Sequence, residues 1–243
     1  MKFSQITETG LIRENNEDSL LVCPDLGLFA VADGMGGHSA GEVASKETVE
    51  YLEKNIRSLM KENIDPENII LKAMQNTNRF VYDISKLKLN WRGMGTTVTA
   101  CFIPVFFPGE DNNIFIAHVG DSRAYLMKNR RIIQVTSDHS LVGEMLKNGS
   151  ITEETAHDHP KRNILTKAIG ISKHISIDLH NISVSSGNKI LLCTDGLTNH
   201  VKNFEINEIV LKFQDVEGAA KKLVDTALSR GGTDNISVIL IEV

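Results

Sequence analysis

The chain has 243 residues, of which 41% are hydrophobic, and its net charge is −5 at pH 7. This length and apolar content allow a single well-buried domain spanning 1–243, since no linker, repeat or low-complexity tract divides the chain. The scattered basic residues argue against a nucleic-acid partner, and the lack of a membrane-length apolar run argues against a membrane protein, so we expect a cytoplasmic protein.

The first half of the chain is predicted to begin with strands and to continue with two helices. Apolar runs rich in β-branched and aromatic residues predict strands at 18–23 and 26–33. Asp65–Pro66 places a capping residue and a proline at the start of the second helix. The helices are predicted from apolar residues that recur every three or four positions, at Ala44, Thr48, Leu52, Ile56 and Leu59 and again at Ile70, Ala73, Thr77, Phe80, Ile84 and Leu87.

The second half is predicted to be mostly antiparallel β-structure. Turn-forming residues at Asn112–Asn113 and Lys128–Arg130 predict hairpins. Helices are expected at about 139–148 and about 205–230, so the predicted fold class is α+β, with helices covering sheets. The remaining strand-like runs lie at 96–103, 113–120, 122–128, 131–135, 175–184, 188–195 and 235–243.

Aspartates stand at the edges of these predicted strands. Taken singly, each is most simply a turn residue that hydrogen-bonds its own backbone. Taken together they suggest a shared cleft, and the glycines after two of them would let the backbone approach a ligand closely. The aspartates are Asp18, Asp33, Asp121, Asp195 and Asp234.

Converging carboxylates would need bound cations. Anions a few ångströms apart repel by roughly 4 kcal/mol per close pair at an effective dielectric constant near 20. Carboxylate oxygens without His or Cys favour hard ions such as Mg²⁺ or Mn²⁺, and such ions can hydrolyse a phosphate ester by acidifying a bridging water. Arg13, close ahead of Asp18, is the candidate phosphate ligand because its planar fork can bind two oxygens, the alternative being an ordinary surface arginine.

Eight motifs in order resemble those of the type 2C, or PPM, metal-dependent protein serine/threonine phosphatases, in the form typical of the bacterial branch. They include VADGMGGHSAGEVAS, HVGDSRAY, CTDGLTNHV and GGTDNISV. The resemblance extends from about Gly10 to the C terminus. The eight stretches are 9–19, 31–45, 92–98, 118–125, 136–142, 159–170, 193–201 and 231–238.

The resemblance implies two antiparallel sheets packed as a β-sandwich, flanked by pairs of α-helices in four layers, with a Mn²⁺ or Mg²⁺ site at one end. It implies two core ions and a weaker third. Asp33 would bridge the core ions, Gly34 would offer its carbonyl, and Asp195 and Asp234 would complete the ligands. Glu17 and Asp18 would act largely through water, Asp121 with Asp195 would hold the third ion, Arg13 would bind the substrate phosphate, and a flap at about 143–165 would influence substrate choice.

Three positions depart from the family pattern. Glu8 stands where Asp is common, and Ala227–Leu228 replaces the usual Ala-Asn, a change expected to be neutral. Met35 occupies the position of a histidine proposed as general acid in eukaryotic members. The proton donor therefore stays open between His38 and a metal-bound water.

The resulting hypothesis is a phosphatase that hydrolyses phosphoserine and phosphothreonine by direct attack of a metal-bridging hydroxide, without a phosphoenzyme. Cys23, Cys101 and Cys193 are expected to be buried, reduced thiols, and none precedes the arginine-closed loop of a cysteine phosphatase. The resemblance further implies phosphoprotein substrates and a cognate serine/threonine kinase, and we expect a monomer. The alternatives are a non-catalytic phosphoprotein-binding module and a metal-dependent phosphodiesterase or nuclease.

Overall fold

The computed structural model describes residues 1–36, 40–104, 113–152, 155–156 and 159–243. Its strands form two antiparallel sheets, with the strand orders β1-β11-β10-β7-β8 and β2-β3-β5-β6-β9, and β4 pairs with β3. The strands are β1 Lys2–Glu8, β2 Asp18–Cys23, β3 Leu28–Met35, β4 Gly95–Thr96, β5 Val98–Phe102, β6 Asn113–Val119, β7 Arg123–Lys128, β8 Arg131–Gln134, β9 Asp178–Ser183, β10 Lys189–Cys193 and β11 Ile236–Glu242.

The helices are α1 Ala40–Leu59, α2 Pro66–Ile84, α3 Leu141–Lys147, α4 Asp195–Thr198, α5 Asn203–Lys212 and α6 Val216–Ser229. Asp65 caps α2 as predicted, because its side chain accepts a hydrogen bond from the Asn68 amide. Among the described residues, no helix is long and apolar enough to cross a bilayer.

Three hydrophobic clusters stack the elements into four layers. The first cluster joins α1 and α2 to the sheet that contains β3 and includes Leu52 and Phe102. The second lies between the two sheets and includes Phe29 and Ile239. The third joins the other sheet to α5 and α6 through residues such as Leu223. The predicted α+β sandwich with helix pairs on both faces is therefore confirmed.

Strand β1 was not predicted from the sequence. It pairs with β11 along its whole length, from Lys2 opposite Glu242 to Glu8 opposite Ile236. Its two apolar residues, Phe3 and Ile6, pack into different hydrophobic clusters because they are three positions apart and point to opposite faces. A strand that buries one residue on each face has no alternating pattern to detect.

The helical region predicted at about 205–230 consists of two helices in the structure. Helix α5 ends at Lys212, and Asp215 then caps α6 by accepting a hydrogen bond from the Gly218 amide. Leu87 was wrongly assigned to the buried stripe of α2, since it lies beyond the end of the helix and is exposed.

The predicted hairpin at Lys128–Arg130 is confirmed. Asn129 and Arg130 both have left-handed backbone conformations, with φ of 54° and 62°, as a tight two-residue turn between β7 and β8 requires. Asn113 begins β6, whereas Asn112 lies outside the described residues.

Candidate active site

The strand-edge aspartates meet at one end of the sandwich because the strands are antiparallel. Asp18 opens β2 and is paired directly with Asp33 near the end of β3. Asp195 follows β10 and Asp234 precedes β11, and these two strands are neighbours in the other sheet. Asp121 follows β6. Strands that run in opposite directions place one strand's start beside its neighbour's end, so residues at both positions share an edge.

Asp33 is held by threonines of the neighbouring chain segment. Its amide donates to Thr97 Oγ1 over 2.9 Å, and its carbonyl accepts from the Thr97 amide over 2.8 Å and from Thr96 Oγ1 over 2.8 Å. The backbone of Asp33 is therefore fixed on both sides by the two threonines.

Glu17 reaches the cleft through a gap left by two glycines. The Gly34 amide donates to the Glu17 carbonyl over 3.1 Å. A Cβ built on Gly34 would lie 2.1 Å from the Gly41 carbonyl, and one built on Gly41 would lie 2.7 Å from Glu17 Oε2. Both positions therefore exclude side chains, and Gly41 is a site residue that the sequence analysis did not single out.

The cleft raises the pKa of most of its acids. Burial is the largest cause of the raised pKa of Asp33, followed by repulsion from Asp18, Asp195, Asp121 and Asp234. Burial also raises the pKa of Asp18 to about 7, reinforced by Asp195 and Asp234 and opposed by hydrogen bonds. These carboxyl groups hold their protons well above the ordinary range unless a cation compensates the charge.

Two other acids behave in the same way. Burial, then repulsion from Asp195 and Asp138, raises the pKa of Asp121, which Arg123 opposes. Burial, then repulsion from Asp234, raises the pKa of Asp195, which a hydrogen bond from Asn199 opposes. Both side chains are only half-buried, so they are desolvated on one side yet open to small ligands on the other.

Buried oxygens without partners support a cation at this site. In the described part of the chain, Asp18 Oδ1 and Asp195 Oδ1 meet no hydrogen-bond donor. Buried polar atoms are nearly always satisfied, and a hard divalent cation satisfies carboxylate oxygens. The donor set therefore fits Mg²⁺ or Mn²⁺.

The carboxylates are close but are not yet arranged as ligands. Within the described ranges, no three His, Cys, Asp or Glu side chains already surround a single point. Two of the acids make hydrogen bonds instead: Asp195 Oδ2 accepts from Asn199 Nδ2 over 3.1 Å, and Asp234 Oδ2 accepts from Arg13 over 2.8 Å.

Arg13 lies at the mouth of the cleft. Its NH2 group donates to Asp234 Oδ2 over 2.8 Å, and its side chain is 50% exposed, so its remaining donors are open to a ligand. Desolvation opposes the charged form of Arg13, but the hydrogen bond and charge of Asp234, with the charges of Glu17 and Asp33, raise its pKa overall. Arg13 is therefore a fixed cation beside the acids rather than an isolated surface residue.

A cavity of about 1130 Å³ adjoins the cleft beyond Asp121 and Asp195. One wall carries the ion pair of Arg123 and Asp138, whose nearest atoms are 2.7 Å apart. The lining also includes parts of the predicted flap, among them Arg162. The predicted flap lies partly outside the described residues, which lack 153–154 and 157–158. The general-acid candidate His38 also lies outside them.

Sequence reasoning missed the polar residues that support the acids. Thr194 Oγ1 donates to Asp18 Oδ2 over 2.8 Å, and the Glu17 amide donates to Asn235 Oδ1 over 2.8 Å. Thr194 and Asn235 are each next to a predicted acid in the sequence, and this position was the only sign that they support the site. Their partners come from distant segments, and for that reason the pairings are visible only in the folded chain.

A four-layer α+β sandwich with an all-oxygen acidic cleft and an arginine at one end defines the class of metal-dependent phosphatases. Known proteins place the chain within this class. The profile of the family described as Protein phosphatase 2C matches residues 13–229. The chain belongs to this family.

Individual relatives cover nearly the whole chain. The serine/threonine phosphatase Stp of Listeria monocytogenes serotype 4b is 37% identical over 97% of this chain and 93% of its own length. The crystal structure of the Mycobacterium tuberculosis serine/threonine phosphatase PstP/Ppp has a TM-score of 0.87 at 32% identity, covering 100% of this chain and 98% of that one. A structure of the PstP catalytic domain with two manganese ions has a TM-score of 0.85 at 32% identity, covering 99% and 97%.

Proposed function

We propose that this protein is a metal-dependent phosphatase that hydrolyses phosphoserine and phosphothreonine in other proteins. The observation that carries the proposal is the convergence of strand-end carboxylates with raised pKa values beside Arg13. Family membership and the two-manganese relative support the same conclusion. The flap at about 143–165 would belong to the same single domain, 1–243, and would influence substrate choice.

The ion ligands proposed are those that the cleft offers. Asp33 and the Gly34 carbonyl would hold the core ions together with Asp195 and Asp234. Glu17 and Asp18 would act largely through water, and Asp121 with Asp195 would hold a weaker third ion. Mn²⁺ and Mg²⁺ both suit these oxygen ligands, and when bound they would supply positive charge and lower the pKa of water.

Arg13 would bind the phosphoryl oxygens of the substrate. Its guanidinium already donates to Asp234, which fixes its position, and half of the side chain is exposed. A planar cation so placed can stabilise the charge that develops on the equatorial oxygens during in-line displacement.

The cysteines do not offer a covalent alternative. Cys23, Cys101 and Cys193 are all buried free thiols. Burial raises the pKa of Cys193 to about 12 and raises that of the other two as well, so none supplies a thiolate nucleophile at neutral pH. This favours direct transfer to water, and acid-stable radioactive phosphate on the enzyme in a quenched single turnover would contradict it.

The remaining parts of the proposal concern the protein's setting. We infer phosphoprotein substrates, a cognate serine/threonine kinase that the enzyme opposes, a cytoplasmic location and a monomer without nucleic-acid or membrane partners. The serine/threonine phosphatase named in Listeria supports the substrate class.

The test is an assay on p-nitrophenyl phosphate and on a phosphothreonine peptide with Mn²⁺, Mg²⁺ or EDTA. Asp195→Ala should abolish turnover, whereas Asp225→Ala, an exposed aspartate on α6, should leave it unchanged. Absence of turnover in folded wild-type protein would favour a phosphoprotein-binding module. Cleavage of a bis-phosphodiester instead would favour a phosphodiesterase.

A further inference from the structure

His139 makes two hydrogen bonds to the backbone of Gly120, the residue before Asp121. The Gly120 amide donates to His139 Nδ1 over 3.1 Å, and the His139 amide donates to the Gly120 carbonyl over 2.7 Å. Both polar groups of the Gly120 backbone are therefore held by one residue, which lies 19 positions further along the chain. The side-chain bond depends on an unprotonated Nδ1 that accepts.

Contacts other than those with His139 also restrict the turn that carries Asp121. Gly120 has φ of +111°, a conformation that favours glycine, and a Cβ built on it would lie 2.5 Å from Thr97 Cβ. Thr97 is the residue that holds the backbone of Asp33, and its Oγ1 also lies 2.7 Å from Ser122 Oγ. The Asp121 turn is therefore packed between the anchor of Asp33 on one side and His139 on the other.

His139 is itself anchored from the far side. Its Nε2 lies 3.1 Å from Asp178 Oδ2 on β9, and its carbonyl accepts from the Thr166 amide over 2.8 Å. Lys167 Nζ lies 3.3 Å from Asp178 Oδ1 and 3.4 Å from His139 Nε2, and the His118 ring stacks at 4.8 Å. With Nδ1 accepting from Gly120, the hydrogen of the neutral ring lies on Nε2 and is directed to Asp178.

We propose that His139 is a positioning residue that holds Asp121 in place for the third ion. The inference rests on the proposed role of Asp121 as a ligand of that ion. Residues behind a ligand that fix its orientation typically change metal affinity by about 10–100-fold when they are replaced. His139 acts on the backbone ahead of the ligand, so its loss should weaken the third ion while leaving the two core ions bound.

Two substitutions separate the halves of the His139 contact. In His139→Asn, the amide oxygen can occupy the position of Nδ1 and accept from Gly120, but nothing reaches Asp178. In His139→Gln, the terminal amide extends to the position of Nε2 and can donate to Asp178, but the acceptor for Gly120 is lost. Both variants lose the ring that stacks on His118, so that loss cancels when the two are compared.

The experiment measures Mn²⁺ binding by isothermal titration calorimetry, phosphatase activity against Mn²⁺ concentration, and thermal unfolding. His139→Gln should weaken the weakest Mn²⁺ site by about tenfold or more and lower kcat with KM nearly unchanged. His139→Asn should retain that site within about twofold of wild type. Should the glutamine variant not fold, His139→Ala, which removes the acceptor without adding a donor, replaces it in the comparison.

Asp121→Ala separates this proposal from the one on which it rests. If Asp121→Ala still binds the weak ion, the role of Asp121 is wrong, whatever His139 does. If Asp121→Ala loses the ion but the glutamine variant, or its alanine replacement, retains it, the positioning role of His139 is overturned. Equal weakening of the weak Mn²⁺ site in the asparagine variant and in the variant that lacks the acceptor would also overturn the positioning role, since the hydrogen bond to Gly120 would then make no difference.

Discussion

Replacing Asp18 with asparagine should stabilise the protein in EDTA and weaken its stabilisation by Mn²⁺. Asp18 is 9% exposed, and its pKa is raised to about 7, first by burial and then by Asp195 and Asp234. A raised pKa means that the folded state binds the proton more tightly than the unfolded state. Stability therefore falls as pH rises from the unfolded value near 3.8 to about 7, and the whole penalty is present above that range.

The size of the effect follows from the shift. At about 1.4 kcal/mol per pKa unit, the charged Asp18 costs about 4 kcal/mol at pH 8. The amide can still accept the hydrogen bond from Thr194 Oγ1, which lies 2.8 Å from Asp18 Oδ2. Its NH₂ group would replace the unpartnered Oδ1 and leave a buried donor unsatisfied, which costs about 1–3 kcal/mol. The net gain at pH 8 should be about 1–3 kcal/mol, and it should vanish near pH 5.

The assay is urea unfolding at pH 8 and pH 5, each with EDTA and with Mn²⁺. Asp225→Asn, an exposed aspartate on α6, is the matched control and should change the unfolding free energy by less than about 0.5 kcal/mol. In Mn²⁺ the difference in unfolding free energy between wild type and Asp18→Asn should become smaller or change sign, because the ion stabilises the carboxylate and not the amide. A gain of the same size at both pH values, or a loss at pH 8, would refute the electrostatic reasoning.

Three further predictions concern the phosphate ligand, the cleft backbone and the core. Arg13→Ala should lower kcat/KM on p-nitrophenyl phosphate about 100-fold without changing the melting temperature. The control Arg92→Ala, at an exposed arginine, should leave kcat/KM unchanged. Gly34→Ala should abolish activity and lower the unfolding free energy by about 1–3 kcal/mol, because its Cβ would lie 2.1 Å from a carbonyl of α1. Leu52→Ala should cost about 2–5 kcal/mol in urea unfolding, whereas the exposed Leu211→Ala should cost far less.

The sequence was sufficient to predict that the aspartates would meet. Each stands at the start or the end of an apolar run, and in an antiparallel sheet both positions share one edge, as the pairing of Asp18 with Asp33 confirms. The helices α1 and α2 were predictable for a similar reason, because each buries one regular stripe. Their individual ion-binding roles rest on the family resemblance and stay predictions.

Other features depend on contacts between distant segments. Gly41 has no local signal, because only the folded chain shows that it gives the Glu17 carboxylate its space. The break between α5 and α6 was hidden because apolar residues continue through Phe213. The ion pair of Arg13 with Asp234 joins residues 221 positions apart. Local periodicity carries no information about such pairs.

The support of the acids is interlocked rather than local. Thr194, the neighbour of Asp195, hydrogen-bonds Asp18, and Asn235, the neighbour of Asp234, holds the Glu17 amide. A substitution at one acid therefore disturbs the residue that supports another. Effects of paired substitutions should accordingly be non-additive, because groups within one hydrogen-bond network are coupled. We therefore expect the cleft to respond to substitution as a unit.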